Sequence, residues 1–204
     1  MADVFLRRLS RWQAEQHREQ LADLHVAAYA TDSPCLSGRT AHAGGRQPAA
    51  AAPAEEPFHG RAAFLRRLAG HSVRPGFDLV VADGGGVVGC AYGFPLERQS
   101  GRWRGFVGPV PEHLAELTLA GRVFAVAELM VLPRLRRRGI GRRLHDQLLA
   151  GSDAALAALV LDPDHAGGAP AHAACRAWGW SPAGRFRPAE RGPELEVYTR
   201  PLRR

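Results

Sequence analysis

The chain contains no lysine: all 27 of its basic residues are arginine. Cysteine is scarce too, with Cys35, Cys90 and Cys175 widely spaced and odd in number. No CxxC pair occurs, which argues against a zinc ribbon or a disulfide framework. The nine histidines form no HxxxH or HExxH pair, so no metal site is expected. No apolar run approaches the ~20 residues of a membrane helix, so no membrane partner is expected. The first residues, MADVFLRRLSRW, lack the long apolar region and small-residue cleavage site of a secretory signal. A cytoplasmic location is the expectation.

What is present is enough for a folded domain. A length of 204 residues and a hydrophobic content of 46% suit one α/β domain, residues 1–204, with a real core. Arginine without lysine, together with abundant Ala, Gly and Pro, looks like the usage of a high-GC bacterial genome. The formal net charge is +7. Six arginines (134, 136, 137, 138, 142 and 143) fall within ten residues and account for nearly all of that excess. A local excess asks for a local anionic partner.

The pattern along the chain alternates strands and helices. Strands are expected at 4–9, 77–82, 87–94, 123–131, 156–161 and 194–200. Helices are expected at 13–29, 58–69, 111–120, 140–150 and 170–178, the last opened by Pro170. Asp83-Gly84-Gly85-Gly86 reads as a hairpin turn. Residues 31–57, rich in Ala, Gly and Pro, read as a long flexible loop. Hairpins mixed with strand–helix–strand crossovers imply a mixed sheet flanked by helices.

The segment VLPRLRRRGIGRRL joins a strand to a helix. Gly139 and Gly141 let backbone approach a ligand, and free N–H groups at the helix start favour an anion. Cations there are normally disfavoured by ~0.3–1 kcal/mol each, so Arg137, Arg138, Arg142 and Arg143 point to a bound anion. A nucleotide P-loop needs GxxxxGK[ST], and both the lysine and the hydroxyl residue are missing. A dinucleotide fingerprint needs GxGxxG, and Leu144 stands at the third glycine. A nucleic-acid patch and a solvated basic face are the other readings. Nucleic acid is disfavoured, because charge in the rest of the chain is near balance.

The stretch Val131-x-Pro133-x-x-Arg136-x-x-Gly139-x-Gly141 resembles the Q/R-x-x-G-x-G/A signature of the GNAT acetyltransferase superfamily. PGFDLVVADGGGVVGCAYGFPL is similar to its second and third strands, and PAHAACRAWGW to its late helix ending in Gly-Trp. The resemblance covers about residues 4–30 and 60–200. It implies a mixed, mostly antiparallel sheet of about six to seven strands with about four to five helices. It implies acetyl-CoA as co-substrate and an amine, preferably of a small molecule, as acceptor, with direct transfer in a ternary complex. Backbone groups of Met130 and Val131 should pair with the pantetheine arm. The motif from Arg136 through Arg137, Arg138, Gly139, Ile140, Gly141 and Arg142 should hold the pyrophosphate. Homodimers are a frequent state of such domains.

Amine acetylation needs an ammonium deprotonated and a leaving thiolate protonated. Glu128 is the candidate base: along FAVAELMV it is expected to share an apolar strand face with Phe124, Val126 and Met130. Burial there raises a carboxyl pKa. The alternative is a structural carboxylate paired with an arginine such as Arg122. Where the family commonly has a tyrosine acid, this chain has Cys175, and the asparagine often found before that helix is missing. Cys175 reads either as a poor substitute acid or as helix packing. Tyr198 is another hydroxyl candidate. Tyr92 and Trp103 are candidate acceptor contacts that read equally as packing. His25, His113 and His172 read as surface or capped histidines. The departure at Cys175 keeps a second class open: a weakly active or inactive acyl-CoA-binding module.

Overall fold

The computed structural model describes residues 4–29, 60–98, 103–163, 168–187 and 194–202. The expected loop at 31–57, with Cys35 and the start of the expected 58–69 helix, lies outside them.

The described residues form seven strands and six α-helices. The strands are β1 (Phe5–Leu9), β2 (Asp78–Asp83), β3 (Val87–Pro95), β4 (Val123–Val131), β5 (Leu156–Leu161), β6 (Ser181–Phe186) and β7 (Leu195–Pro201). The helices are α1 (Arg11–Gln16), α2 (Arg18–Tyr29), α3 (Arg61–Ser72), α4 (Glu112–Leu119), α5 (Ile140–Ala150) and α6 (Gly168–Ala177). One sheet runs in the order β1-β2-β3-β4-β5-β7-β6. Every neighbouring pair is antiparallel except β4 and β5. A parallel pair needs a crossover, and α5 supplies it.

Two expectations change. The single helix at 13–29 is two helices meeting at His17, which ends α1. The first starts at Arg11 because Ser10 and Gln13 form a reciprocal capping box. Strand β6 was not foreseen. Its SPAGRF sequence contains Pro182 and Gly184, both poor strand formers, and the pairing is irregular between them. An edge position, with β7 as its one neighbouring strand, tolerates both.

Helices cover both faces. Ile140, Leu144 and Leu148 of α5 recur every four residues and sink into a core with Val80, Ala91, Phe124 and Val131. Cys175 and Trp180 extend this core under α6. The opposite face buries Leu21, Leu24, Phe64 and Leu68 of α2 and α3 against Leu79, Val81, Tyr92 and Met130. Burying each such side chain contributes about 1.5–3 kcal/mol. Leu114 of α4 covers the Phe94, Ala125 and Ala158 end of that face.

Candidate functional site

The central irregularity lies in β4. Tyr92 of β3 faces Glu128, but the next residue, Gly93, faces Val126, so Ala127 has no partner across the pair. This is a β-bulge. Gly93 makes it feasible: a Cβ there would lie 2.3 Å from the Ala125 carbonyl oxygen and 2.5 Å from the Phe124 ring. The bulge resets the alternation of side chains. Phe124 and Val126 join the core under α5, whereas Met130 joins the core under α2 and α3. Glu128 points to this second side. The expected single face of Phe124, Val126, Glu128 and Met130 is therefore corrected; an extra residue turns the last two over.

Beyond the bulge, β4 parts from β5. Their pairing is confined to Val123–Ala125 against Leu156–Ala158. The rest of β4 pairs with β3, and the rest of β5 with β7. A wedge opens between them, edged on one side by unpaired β4 backbone. Alternation decides which groups face it. The Leu132 amide donates to the Val88 carbonyl on the β3 side. Met130, two residues earlier, therefore also turns its groups to β3, while Leu129 and Val131 turn theirs to the wedge. The Val131 carbonyl accepts from Arg136 Nε at 3.2 Å on that open side. Met130, the expected backbone contact, therefore has its own backbone groups turned to β3, and Leu129 and Val131 carry the open ones.

The wedge leads into the arginine-rich turn. A 3-10 turn, Pro133–Leu135, follows β4. Arg137 has φ 64° and Gly139 φ 77°, both left-handed. A Cβ on Gly139 would meet nothing within 4 Å, so glycine is favoured there by conformation and not by space. Gly141 differs, since its Cβ would meet the Trp178, Leu129 and Val131 side chains at 3.5–3.8 Å, in ordinary contact. The N–H groups of residues 137–142 find no acceptor among the described residues, and no side chain caps α5. Six free amides in a left-handed turn at a helix start form an anion cradle.

The side chains around this cradle divide. Arg136 also donates to the Ala28 carbonyl at the end of α2, so its guanidinium ties the turn to the protein. Arg142 pairs with Asp146 at 2.8 Å, and Arg143 donates to the Val4 carbonyl at 3.1 Å. Ile140 is core, leaving its amide alone for a ligand. Arg134, Arg137 and Arg138 are exposed, with no ion pair among the described residues. The crowding at the helix start is thus partly relieved within the chain.

Glu128 is nearly buried, its side chain 9% exposed. The Tyr29 hydroxyl donates to its Oε1 at 2.8 Å. His25 Nδ1 lies 3.7 Å from Oε2 and Arg67 3.9 Å. The paired-carboxylate alternative named Arg122, but the arginine here is Arg67. Burial raises the Glu128 carboxyl pKa, and the Tyr29 hydrogen bond and Arg67 offset part of that rise. The Tyr29 hydroxyl is pushed well up, first by its own burial and then by Glu128. His25 is wholly buried and stacks on Phe64 at 4.4 Å, contrary to the surface reading. His172 is buried too, 2.9 Å from the Tyr198 hydroxyl.

Tyr92 is buried opposite Glu128, its hydroxyl 3.4 Å from His71 Nδ1. Trp103 donates its indole N–H to Thr118 at 3.0 Å and packs edge-on to Phe106, a position in the fold of α4. Cys175 is buried beneath α6, and burial pushes its thiol up to about 11. Tyr29, Arg67 and His71 went unnoticed in the sequence, and His25 was read as a surface or capped histidine. The one signal was His25 and Tyr29 at four-residue spacing on a helix. No described cluster of His, Cys, Asp and Glu could hold a metal, and no described helix is long and apolar enough to cross a membrane.

A splayed parallel pair, an amide-lined turn and a buried glutamate are thus all arranged along β4. The acetyltransferase (GNAT) family profile matches residues 47–180, and the chain belongs to that family. Solved structures share the fold. A GNAT-family protein of Desulfovibrio desulfuricans superposes with TM-score 0.60 at 12% identity, covering 98% of this chain and 99% of its own. The yncA protein of Salmonella typhimurium, solved with its cofactor acetyl-CoA, gives TM-score 0.55 at 13% identity over 99% and 95%. The ribosomal-protein-S18-alanine N-acetyltransferase of Escherichia coli gives 0.54 at 14% over 99% and 96%. No curated protein matches the chain by sequence.

Proposed function

We propose that this protein transfers an acetyl group from acetyl-CoA to the primary amine of a small molecule, directly, in a ternary complex. One observation carries the reading. The open β4 edge at Leu129 and Val131 runs straight into the free amides of residues 137–142, and Glu128 of the same strand faces the other way, toward α2 and α3. Leu129 and Val131 would hold the pantetheine arm as an added strand would, and the six amides would hold the diphosphate. Acetyl-CoA fits this donor set and supplies an activated acetyl group. Glu128 takes the proton from the ammonium, its raised pKa bringing it closer to that task at neutral pH. Tyr29 orients the carboxylate. Arg136 sets the turn, through the Val131 and Ala28 carbonyls, and does not contact the diphosphate. Cys175 packs α6, and Trp103 packs α4. The protein works in the cytoplasm, as one domain.

A second reading, an acyl-CoA-binding module with little turnover, is favoured by the buried Cys175 at the tyrosine position. Both readings require acetyl-CoA to raise thermal stability. At 100 times the dissociation constant the gain is about 2.7 kcal/mol, or about 5–10 °C for a domain of this size. Thiol release on adding amines then separates them: release supports the enzyme, and binding without release supports the module. No stability shift at millimolar acetyl-CoA rejects both.

A further inference from the structure

His145 lies on the buried side of α5, 2% exposed, about one turn past the anion cradle. Both ring nitrogens are engaged. Nδ1 lies 2.8 Å from Asp146 Oδ1. Nε2 receives the Trp180 indole N–H at 2.9 Å and faces Arg200 Nη1 at 3.2 Å. Indole and guanidinium only donate, so Nε2 carries the lone pair and Nδ1 the hydrogen. The ring is neutral in this arrangement. The charged groups that face it are Asp146 and Arg142 of its own helix and Arg200 of β7. Asp146 also pairs with Arg142 at 2.8 Å and lies 3.9 Å from Arg200. From the end of α6 come two indoles, Trp180 and Trp178, with ring centres 5.9 and 4.9 Å from the imidazole. Burial, then Arg200 and Arg142, hold the imidazole pKa below the ordinary 6.5 against the pull of Asp146.

Trp178 links this ring to the cradle. Its indole is the side chain closest to Gly141, 3.5 Å from where a Cβ would stand. Trp178 and Trp180 flank Gly179, left-handed at φ 82°, in the turn from α6 into β6. An anchor on Trp180 therefore fixes where both indoles sit. We propose that neutral His145 is a positioning residue for acetyl-CoA: through Trp180 it holds Trp178 against Gly141, and so keeps the cradle in shape. The inference rests on the acetyl-CoA reading of that cradle. Protonation puts a hydrogen on Nε2 against two donors, which breaks the Trp180 bond, and it adds a cation beside Arg142 and Arg200. The support under Gly141 goes with it. A histidine whose folded pKa is lowered stabilises fully above its unfolded pKa, and that contribution is lost as pH falls through the folded one. The contact therefore holds at neutral pH and opens below 6.5.

The test follows the Trp180 indole and the affinity for acetyl-CoA together. Indole N–H and imidazole C–H resonances of the whole protein are recorded by NMR from about pH 8 to about pH 5, with Trp180→Phe assigning the indole. Affinity for acetyl-CoA is measured by calorimetry over the same range for the wild type and for His145→Gln. The glutamine amide keeps an acceptor for Trp180 and a donor for Asp146 but takes up no proton in this range. Titration of the ligand's phosphates and of Glu128 is common to both proteins and cancels in their ratio. Between neutral and acid pH the wild type is expected to lose about 3- to 10-fold more affinity than the variant, the worth of one hydrogen bond. The Trp180 indole resonance should move in step with His145. Titration of His145 at 6.5 or above, a Trp180 indole indifferent to it, or equal affinity profiles in the two proteins overturns the proposal. Should the variant fail to fold, the wild-type resonances decide alone. Equal profiles leave the cradle reading standing, whereas absence of acetyl-CoA binding at every pH removes both.

Discussion

Replacing Glu128 by Gln keeps the shape of the side chain and removes its ability to take a proton. Gln Oε1 can still accept the Tyr29 hydroxyl bond found at 2.8 Å. Only the second oxygen, near His25 and Arg67, changes its chemistry. A positioned general base contributes about 10²–10⁴-fold, so kcat is expected to fall by that factor, about 3–5 kcal/mol of barrier. Stability should move the other way. The folded-state pKa of Glu128 lies above the ordinary value of 4.5, mainly through burial, a net result that already includes Tyr29 and Arg67. A carboxyl with a raised folded pKa stabilises below its unfolded pKa and loses that contribution as pH rises through the folded one. Glu128→Gln should therefore melt higher than the wild type at neutral pH. The difference should vanish as pH falls below 4.5. Thiol-release kinetics and melting curves across pH read both effects. Turnover within threefold of wild type, or a lower melting temperature at neutral pH, would refute the reasoning.

Three further outcomes follow from the same geometry. Tyr29→Phe removes a donor to ionised Glu128, so its pKa climbs further; the rising limb of the pH–kcat profile should shift to higher pH, with kcat recovered in alkaline buffer. Gly139→Ala places a Cβ in open space but at φ 77°, so it should cost about 1–2 kcal/mol of backbone strain and weaken acetyl-CoA about tenfold by calorimetry. Cys175→Ala should lower stability by about 1 kcal/mol and leave kcat unchanged; a large loss of kcat would revive the thiol as an acid.

How much of this was legible depended on how local each feature is. The turn at 136–142 is one short run of residues whose glycine spacing and charge belong to a single strand-to-helix junction. It could be read directly, as could α5 with Ile140, Leu144 and Leu148. Glu128 was identifiable as a charge in an apolar strand, but its orientation was not. The bulge at Ala127 depends on Gly93 of another strand closing against Ala125 and Phe124, a tertiary fact. The same bulge turned Met130 and Leu129 relative to expectation. The partners of Glu128 were hidden for a similar reason: Tyr29 lies 99 residues away in sequence and Arg67 arrives on a different helix. Strand β6 was invisible because its edge position tolerates Pro182 and Gly184, which the local pattern reads as a loop.

The structure of the protein with acetyl-CoA tests the central claim most directly. The pantetheine amide groups should hydrogen-bond the main chain of Leu129 and Val131, with the diphosphate against the amides of residues 137–142. A pantetheine bonded elsewhere than the β4 edge, or a diphosphate held away from that turn, would contradict it.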